Sequence, residues 1–185
     1  MATTTQQTST WNLDPAHSLI EVSAKHMMIT TVRGRFTDVK GTITVDEQHP
    51  DRSRVEVEIP AASIDTHVDQ RDQHLRSADF LDVARYPTIT FRSTRIQGAW
   101  NREGDRFTVT GDLTVHGVTK PVTLAATYEG GATDPRGGRR VGFSADTEID
   151  RRQFGLTWNQ ALEAGGILVG NDLRIHLEVQ AVKAA

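Results

Sequence analysis

Seven histidines are the first residues in this chain whose chemistry asks for a partner: His17, His26, His49, His67, His74, His116 and His176. Imidazoles hold a metal when two share one face of a strand or helix, an arrangement that HxH or HExxH spacing makes and no pair here has. No metal site is assigned. Asp65, Asp69 and Asp72 stand near helical spacing without the glycine and terminal glutamate of a calcium loop, and helix capping accounts for them. Serines are plentiful, yet neither the GxSxG elbow nor the SxxK motif that activates a serine is present. The paired glycines at 130–131 and 137–138 open no helix pattern, so they form no phosphate cradle. His74, flanked by Asp72 and Arg76, and His26 remain as general acid–base candidates. A plainer role is mechanical, with Arg71, His74 and Arg76 tying a helical insert to its neighbours. No catalytic residue is assigned.

Period-two alternation supplies the elements that must position these groups. Eight apolar lines recur: Ile20–Val22–Ala24, Val32–Gly34–Phe36 continuing into Val39–Gly41–Ile43–Val45, Val55–Val57–Ile59, Ile89–Phe91, Phe107 to Val115, Val122 to Tyr128, Val141 to Ile149, and Leu173 to Ala181. The second line changes phase at Thr37-Asp38, which predicts a bulge or sharp bend. His116-Gly117 reads as a hairpin tip, and Gly130 to Gly138, with Asp134-Pro135 inside it, as a longer loop. Pro121 must occupy a first residue, a bulge or a non-bonding position of its strand. Asp69 to Asp82 carries helix signals, with Asp69 as the cap, Asp72 three residues on, and Leu75, Phe80 and Leu81 as an apolar side. Asp150 to Phe154 forms a second short turn that closes on Gly155.

The chain has 185 residues with a formal charge of −3 and no cysteine. One domain of this length buries a self-sufficient core. The absence of cysteine excludes disulfides, thiol catalysis and cysteine–zinc sites. No basic excess or basic–aromatic run points to nucleic acid, and no stretch approaches the roughly 20 apolar residues of a membrane-spanning helix. Residues 1–10 read as a disordered tail before one domain over 11–185. That tail is Thr/Gln/Ser-rich without a signal-peptide pattern, which sets the expectation of a cytoplasmic protein.

Eight antiparallel strands with one apolar face each escape open edges by closing into a barrel or by stacking as two sheets. The inward set is Ile20, Val22, Ala24, Phe36, Ile43, Val55, Val57, Ile59, Ile89, Phe91, Leu113, Phe143 and Leu173. Small residues among the apolar lines (Ala24, Gly34, Gly41, Gly111, Ala126, Ala145) and only 6% aromatics favour a hollow interior. A solid sandwich, with the small residues at close sheet contacts, explains the pattern equally well.

The strings AKHMMITTVRGRFTDVKGTI, SIDTHVDQRDQHLRSADFLDVARYPTITF, GDLTVHGVTKPVTL, IDRRQFGLTWN and LVGNDLRIHLEV, in this order, resemble the YceI-like family of polyisoprenoid-binding proteins. The resemblance runs from about Trp11 to Ala181, and Arg71 to Phe91 is its most specific piece. It implies an all-β fold: a lipocalin-like, eight-stranded antiparallel barrel with a short helical insert near residues 69–82. It implies further a long-chain isoprenoid or similar amphiphile as ligand, no catalysis, no cofactor beyond that lipid, and a homodimer. An anionic head group would then meet Lys25, Arg33, Arg35, Arg151 or Arg152 at strand ends, although each taken alone reads more simply as an ordinary solvated charge. The competing function is an enzyme acting on an isoprenoid-type substrate in the same cavity, with His74 or His26 as acid–base.

Overall fold

The structure, a computed structural model, describes residues 8–185. Its elements are β1 (Thr8–Leu13), β2 (Leu19–His26), β3 (Thr30–Phe36), β4 (Lys40–Asp46), β5 (Arg54–Pro60), β6 (Ile64–Asp65), α1 (Asp69–Arg76), β7 (Thr88–Gln97), β8 (Arg106–Val115), β9 (Val118–Thr133), β10 (Arg139–Asp150) and β11 (Val169–Lys183). Hydrogen-bonded neighbours run β1–β4–β5–β7–β8–β9–β10–β11, and β11 returns to β1, so the sheet closes on itself. A branch of β2, β3 and β6 leaves the other end of β11.

The branch reconciles these strands with the eight apolar lines. β11 pairs with β1 through Leu13↔Ala181 and Trp11↔Lys183, and with β2 from Leu19↔Glu178 to Ala24↔Leu173. β1 and β2 are therefore two halves of one bent strand. So are β3 with β4, and β5 with β6, which pair half against half. Counted this way the barrel is eight-stranded and antiparallel, with one short helix. The bend between β3 and β4 falls at the phase change: the Thr37 N–H leaves the ladder and donates to the Ser63 carbonyl at 3.0 Å.

Four expectations need correction. Thr8, Ser9 and Thr10 are not tail: they begin β1, whose Ser9, Trp11 and Leu13 are buried in alternation. The rest of the tail expectation, residues 1–7, lies outside the described residues. The helix ends at Arg76 rather than near residue 82, because the Phe80 and Asp82 amides both fold back onto the Ser77 carbonyl. Asp69 does not cap it. Val68 holds that position without a side-chain bond, while the buried Asp72 reaches back to accept from the Thr66 amide at 2.9 Å and the Thr66 hydroxyl. Finally, the 130–138 loop spans only residues 134–138, since Gly130 to Thr133 remain in β9.

The remaining turns follow their chemistry. His116 and Gly117 (φ 53° and 72°) make the two-residue β8–β9 turn, and Gly155 (φ 74°) ends the turn over Arg151–Phe154. Pro121 sits opposite Asp112 of β8, on the stretch of β9 that precedes its pairing with β10 at Ala125, so no bond to β10 is lost.

At the base, Arg140 at the start of β10 donates to Asp14 (2.7 Å), Asp134 (2.8 Å) and Gln180 (2.8 Å), joining three segments. Its guanidinium and the neighbouring His17 hold the Asp14 carboxyl down to about 2. A depressed carboxyl contributes stability that is present above its ordinary value and lost as pH falls through the folded one. Arg140→Gln is expected to return the Asp14 midpoint toward 3.8 in a carboxyl chemical-shift titration, removing the stability Asp14 contributes above that value and flattening its share of the acid-side loss. An unmoved midpoint would show that Arg140 is not the cause.

Candidate functional site

The buried side chains form three separate clusters around the barrel, near Trp11 and Ile43, near Ala61 and Phe154, and near Phe107 and Ala145. Between them lies a cavity of about 480 Å³, within the roughly 300–1,000 Å³ range of small-molecule sites. Ile20, Val22, Ala24, Phe36, Ile43, Val55, Val57, Ile59, Ile89, Phe91, Leu113, Phe143 and Leu173 all line it. Most of these strand residues are only half-buried although they point inward, because the space in front of them is open. The interior is hollow.

The small residues have a mixed part in this. Ala24, Gly34, Ala126 and Ala145 border the cavity, but Gly41 and Gly111 do not. A Cβ at Gly41 would stand 2.8 Å from Leu13 Cδ1, and one at Gly111 2.5 Å from Phe91 Cζ, so these two glycines make room for neighbouring side chains instead of for a ligand. Aromatics gather at the two ends. Trp100, Phe107, Tyr128 and Phe143 pack at ring separations of 5.4–6.2 Å beside the β7–β8 turn. At the other end Phe80 and Trp158 lie 5.2 Å apart, with the His74 ring 5.0 and 4.7 Å from them.

That second end is the mouth, built from the β2–β3 hairpin, α1 and the segment between β10 and β11. Strand alternation could not reveal its lining residues Phe80, Leu81, Leu156 and Trp158, since they lie on turns and loops with no period of their own. The proposed head-group residues separate here. Lys25 and Arg151 border the cavity, and Arg33, Arg35 and Arg152 do not. Val32, Gly34 and Phe36 face inward, so their neighbours Arg33 and Arg35 must face out, toward Glu21 (3.7 Å) and Asp65 (3.8 Å). Arg152 closes a two-pronged contact with Asp150, at 3.0 and 2.7 Å.

Arg151 is not a solvated charge either. It is only 2% exposed and donates to four carbonyls, those of Gly170 (2.9 Å), Leu156 (2.6 Å), Trp158 (2.9 Å) and Val169 (3.3 Å). Loss of hydration pushes its pKa down. Its work is to hold the 156–158 segment against the start of β11, and so to shape the mouth.

The acid–base candidates also border the mouth. His74 Nε2 pairs with Asp79 at 2.8 Å, and Arg76 bonds the Ala62 and Ile64 carbonyls at 2.8 and 2.7 Å. Arg71 donates to the Thr66 carbonyl at 2.9 Å. Both arginines thus clamp α1 to the segment before it. Among the described residues no cluster of three or more His, Asp or Glu side chains is placed to hold a metal ion.

The rim carries one unusual turn. Met27, Met28 and Ile29 link β2 to β3, with Met27 and Met28 at φ 51° and 60° and the turn closed by Ile29 N–H to the His26 carbonyl at 3.0 Å. A turn with positive φ at both central positions takes Asn-Gly by preference. A side chain with Cβ costs about 1–2 kcal/mol per residue there. Met27, Met28 and Ile29 are nevertheless 41%, 60% and 74% exposed.

The family model described as the YceI-like domain matches residues 11–181. A protein YceI from Salmonella newport is 43% identical over 141 residues, which cover 76% of this chain and 72% of that protein. Among solved structures, Burkholderia cenocepacia BcnA superimposes with a TM-score of 0.77 at 22% identity, over 91% of this chain and 98% of that one. A polyisoprenoid binding domain from Saccharophagus degradans does so with a TM-score of 0.68 at 14% identity, over 94% and 98%. These last two are likenesses of fold. The family model and the sequence identity together establish that the chain belongs to the YceI-like family.

Proposed function

We propose that this protein binds a polyisoprenoid or a similar long-chain amphiphilic lipid in the barrel, and carries or sequesters it unchanged. One observation bears most of the weight: the cavity wall is predominantly apolar along the strands, aliphatic and phenylalanine side chains together, and its charged and imidazole groups (Lys25, His26, Arg71, His74, Arg151) gather at the mouth. A prenyl chain gains about 0.8 kcal/mol for each buried CH₂, so length alone builds affinity without directional contacts. The polar head remains where Lys25 and Arg71 stand. The fold shared with a polyisoprenoid binding domain supports the same reading.

The test is displacement of a fluorescent long-chain probe from the purified protein, with native mass spectrometry of the complex. Geranylgeraniol is expected to displace the probe and to be recovered intact, whereas short alcohols do neither. A probe that geranylgeraniol leaves in place would overturn the proposal. Recovery of a chemically altered prenol would move the protein into the enzyme class, with the His74–Asp79 pair as the first group to replace.

A further inference from the structure

Among the described residues the exposed large apolar side chains are Met27, Met28, Ile29 and Val68. The first three form the β2–β3 tip. Val68 precedes α1 on the neighbouring part of the rim, where Asp65 pairs with Arg35 and a Cβ at Gly34 would meet Thr66. All four therefore lie at the same end of the barrel. The tip is joined directly to the cavity wall, since the Met27 amide donates to the carbonyl of the lining residue Leu168 at 2.8 Å.

We propose that this tip docks the mouth of the barrel on an anionic lipid bilayer, so that an amphiphile passes between bilayer and cavity without crossing water. Three observations favour a bilayer over a protein partner. From Ser23 to Thr31 the hairpin carries Lys25 and His26 next to the tip and no acidic residue, while Arg33 further along is paired with Glu21, a local balance suited to an anionic leaflet. Four side chains make a small patch, far below the roughly 20–30 residues a side of a stable protein interface, but an apolar tip beside basic residues suffices for interfacial insertion. Finally, the turn accepts two methionines at positive φ, where Asn-Gly would be relaxed but would offer no apolar surface. The geometry stands by itself, and its use for loading rests on the lipid-binding reading above.

Flotation with vesicles of phosphatidylcholine plus phosphatidylglycerol, against phosphatidylcholine alone, tests this on the full chain. Wild type is expected to float with the mixed vesicles and less with the neutral ones. The double variant Met27→Asn/Met28→Gly should lose roughly tenfold or more of its vesicle partitioning, since each buried apolar side chain is worth about a tenfold gain or better. Its melting temperature should rise, which separates lost docking from lost folding. Geranylgeraniol binding in solution should stay at the wild-type level, because neither methionine lines the cavity. Wild type that does not float, or a double variant that floats equally well, overturns the proposal. So does light scattering that shows a dimer abolished by the double variant, which would make the tip an interface between copies. Val57→Asp should still float while losing prenol binding, so the cavity and the docking surface fail separately.

Discussion

Val57→Asp and Phe143→Asp are each expected to weaken prenol binding by at least about 100-fold, because an unpaired carboxylate in an apolar cavity loses several kcal/mol of hydration. Val57 stands opposite Phe91 on one side and Gly41 on the other, and Phe143 opposite Tyr128 and Val179. A carboxylate at either place faces hydrocarbon and the bound chain. The alternative to remaining charged is to take up a proton, which burial promotes by raising the carboxyl pKa. Binding should then recover as pH falls below that raised value and disappear as pH rises through it. Circular dichroism must confirm a folded barrel, and Val57→Thr provides a milder polar change. Folded Asp variants that bind prenols as wild type does would place the lipid outside the barrel.

Replacing Arg151 carries the second large effect. Exchanging a buried ion for an apolar residue is often harmless when both partners are exchanged, but here the partners are four backbone carbonyls that no substitution removes. Arg151→Met should cost about 3–5 kcal/mol, taking each orphaned carbonyl at about 1–3 kcal/mol and crediting the relief of a buried charge against them. For a domain of this size that is a fall in melting temperature of roughly 6–20 °C. Amide exchange should rise first between Gly155 and Leu168. Arg151→Lys keeps the charge but not the planar fork, and should recover only part of the loss. An Arg151→Met protein that melts at or above wild type would show the buried charge to be a burden in place of a clamp.

What could be read from residues alone follows from where period two applies. Every strand with one apolar and one polar face declared itself, and so did the thirteen inward residues, because a one-residue slip would exchange the faces. β1 escaped notice, since its first three residues are hydroxylic and its alternation acquires meaning only against Ile43 and Lys183. Arg151 could not be recognised as buried: no acidic partner marks it, and its four acceptors are main-chain atoms that no side chain encodes. The mouth was hidden for a related reason. Trp158, Phe80 and Leu156 reach it from loops, and the Met27-Met28 turn lacks the glycine or asparagine by which such turns are found.

The pairing of β1 with β11 also sets the order of assembly. Trp11 finds its partner at Lys183, so the ring stays open until β11 is available. Until then β10 and the β1–β4 pair present unsatisfied edges to any other chain nearby. Contacts this distant in sequence make folding slow, on the scale of milliseconds to seconds for β structures. The hydrocarbon-lined interior comes into being only at that final closure, and a nascent chain has no cavity to fill.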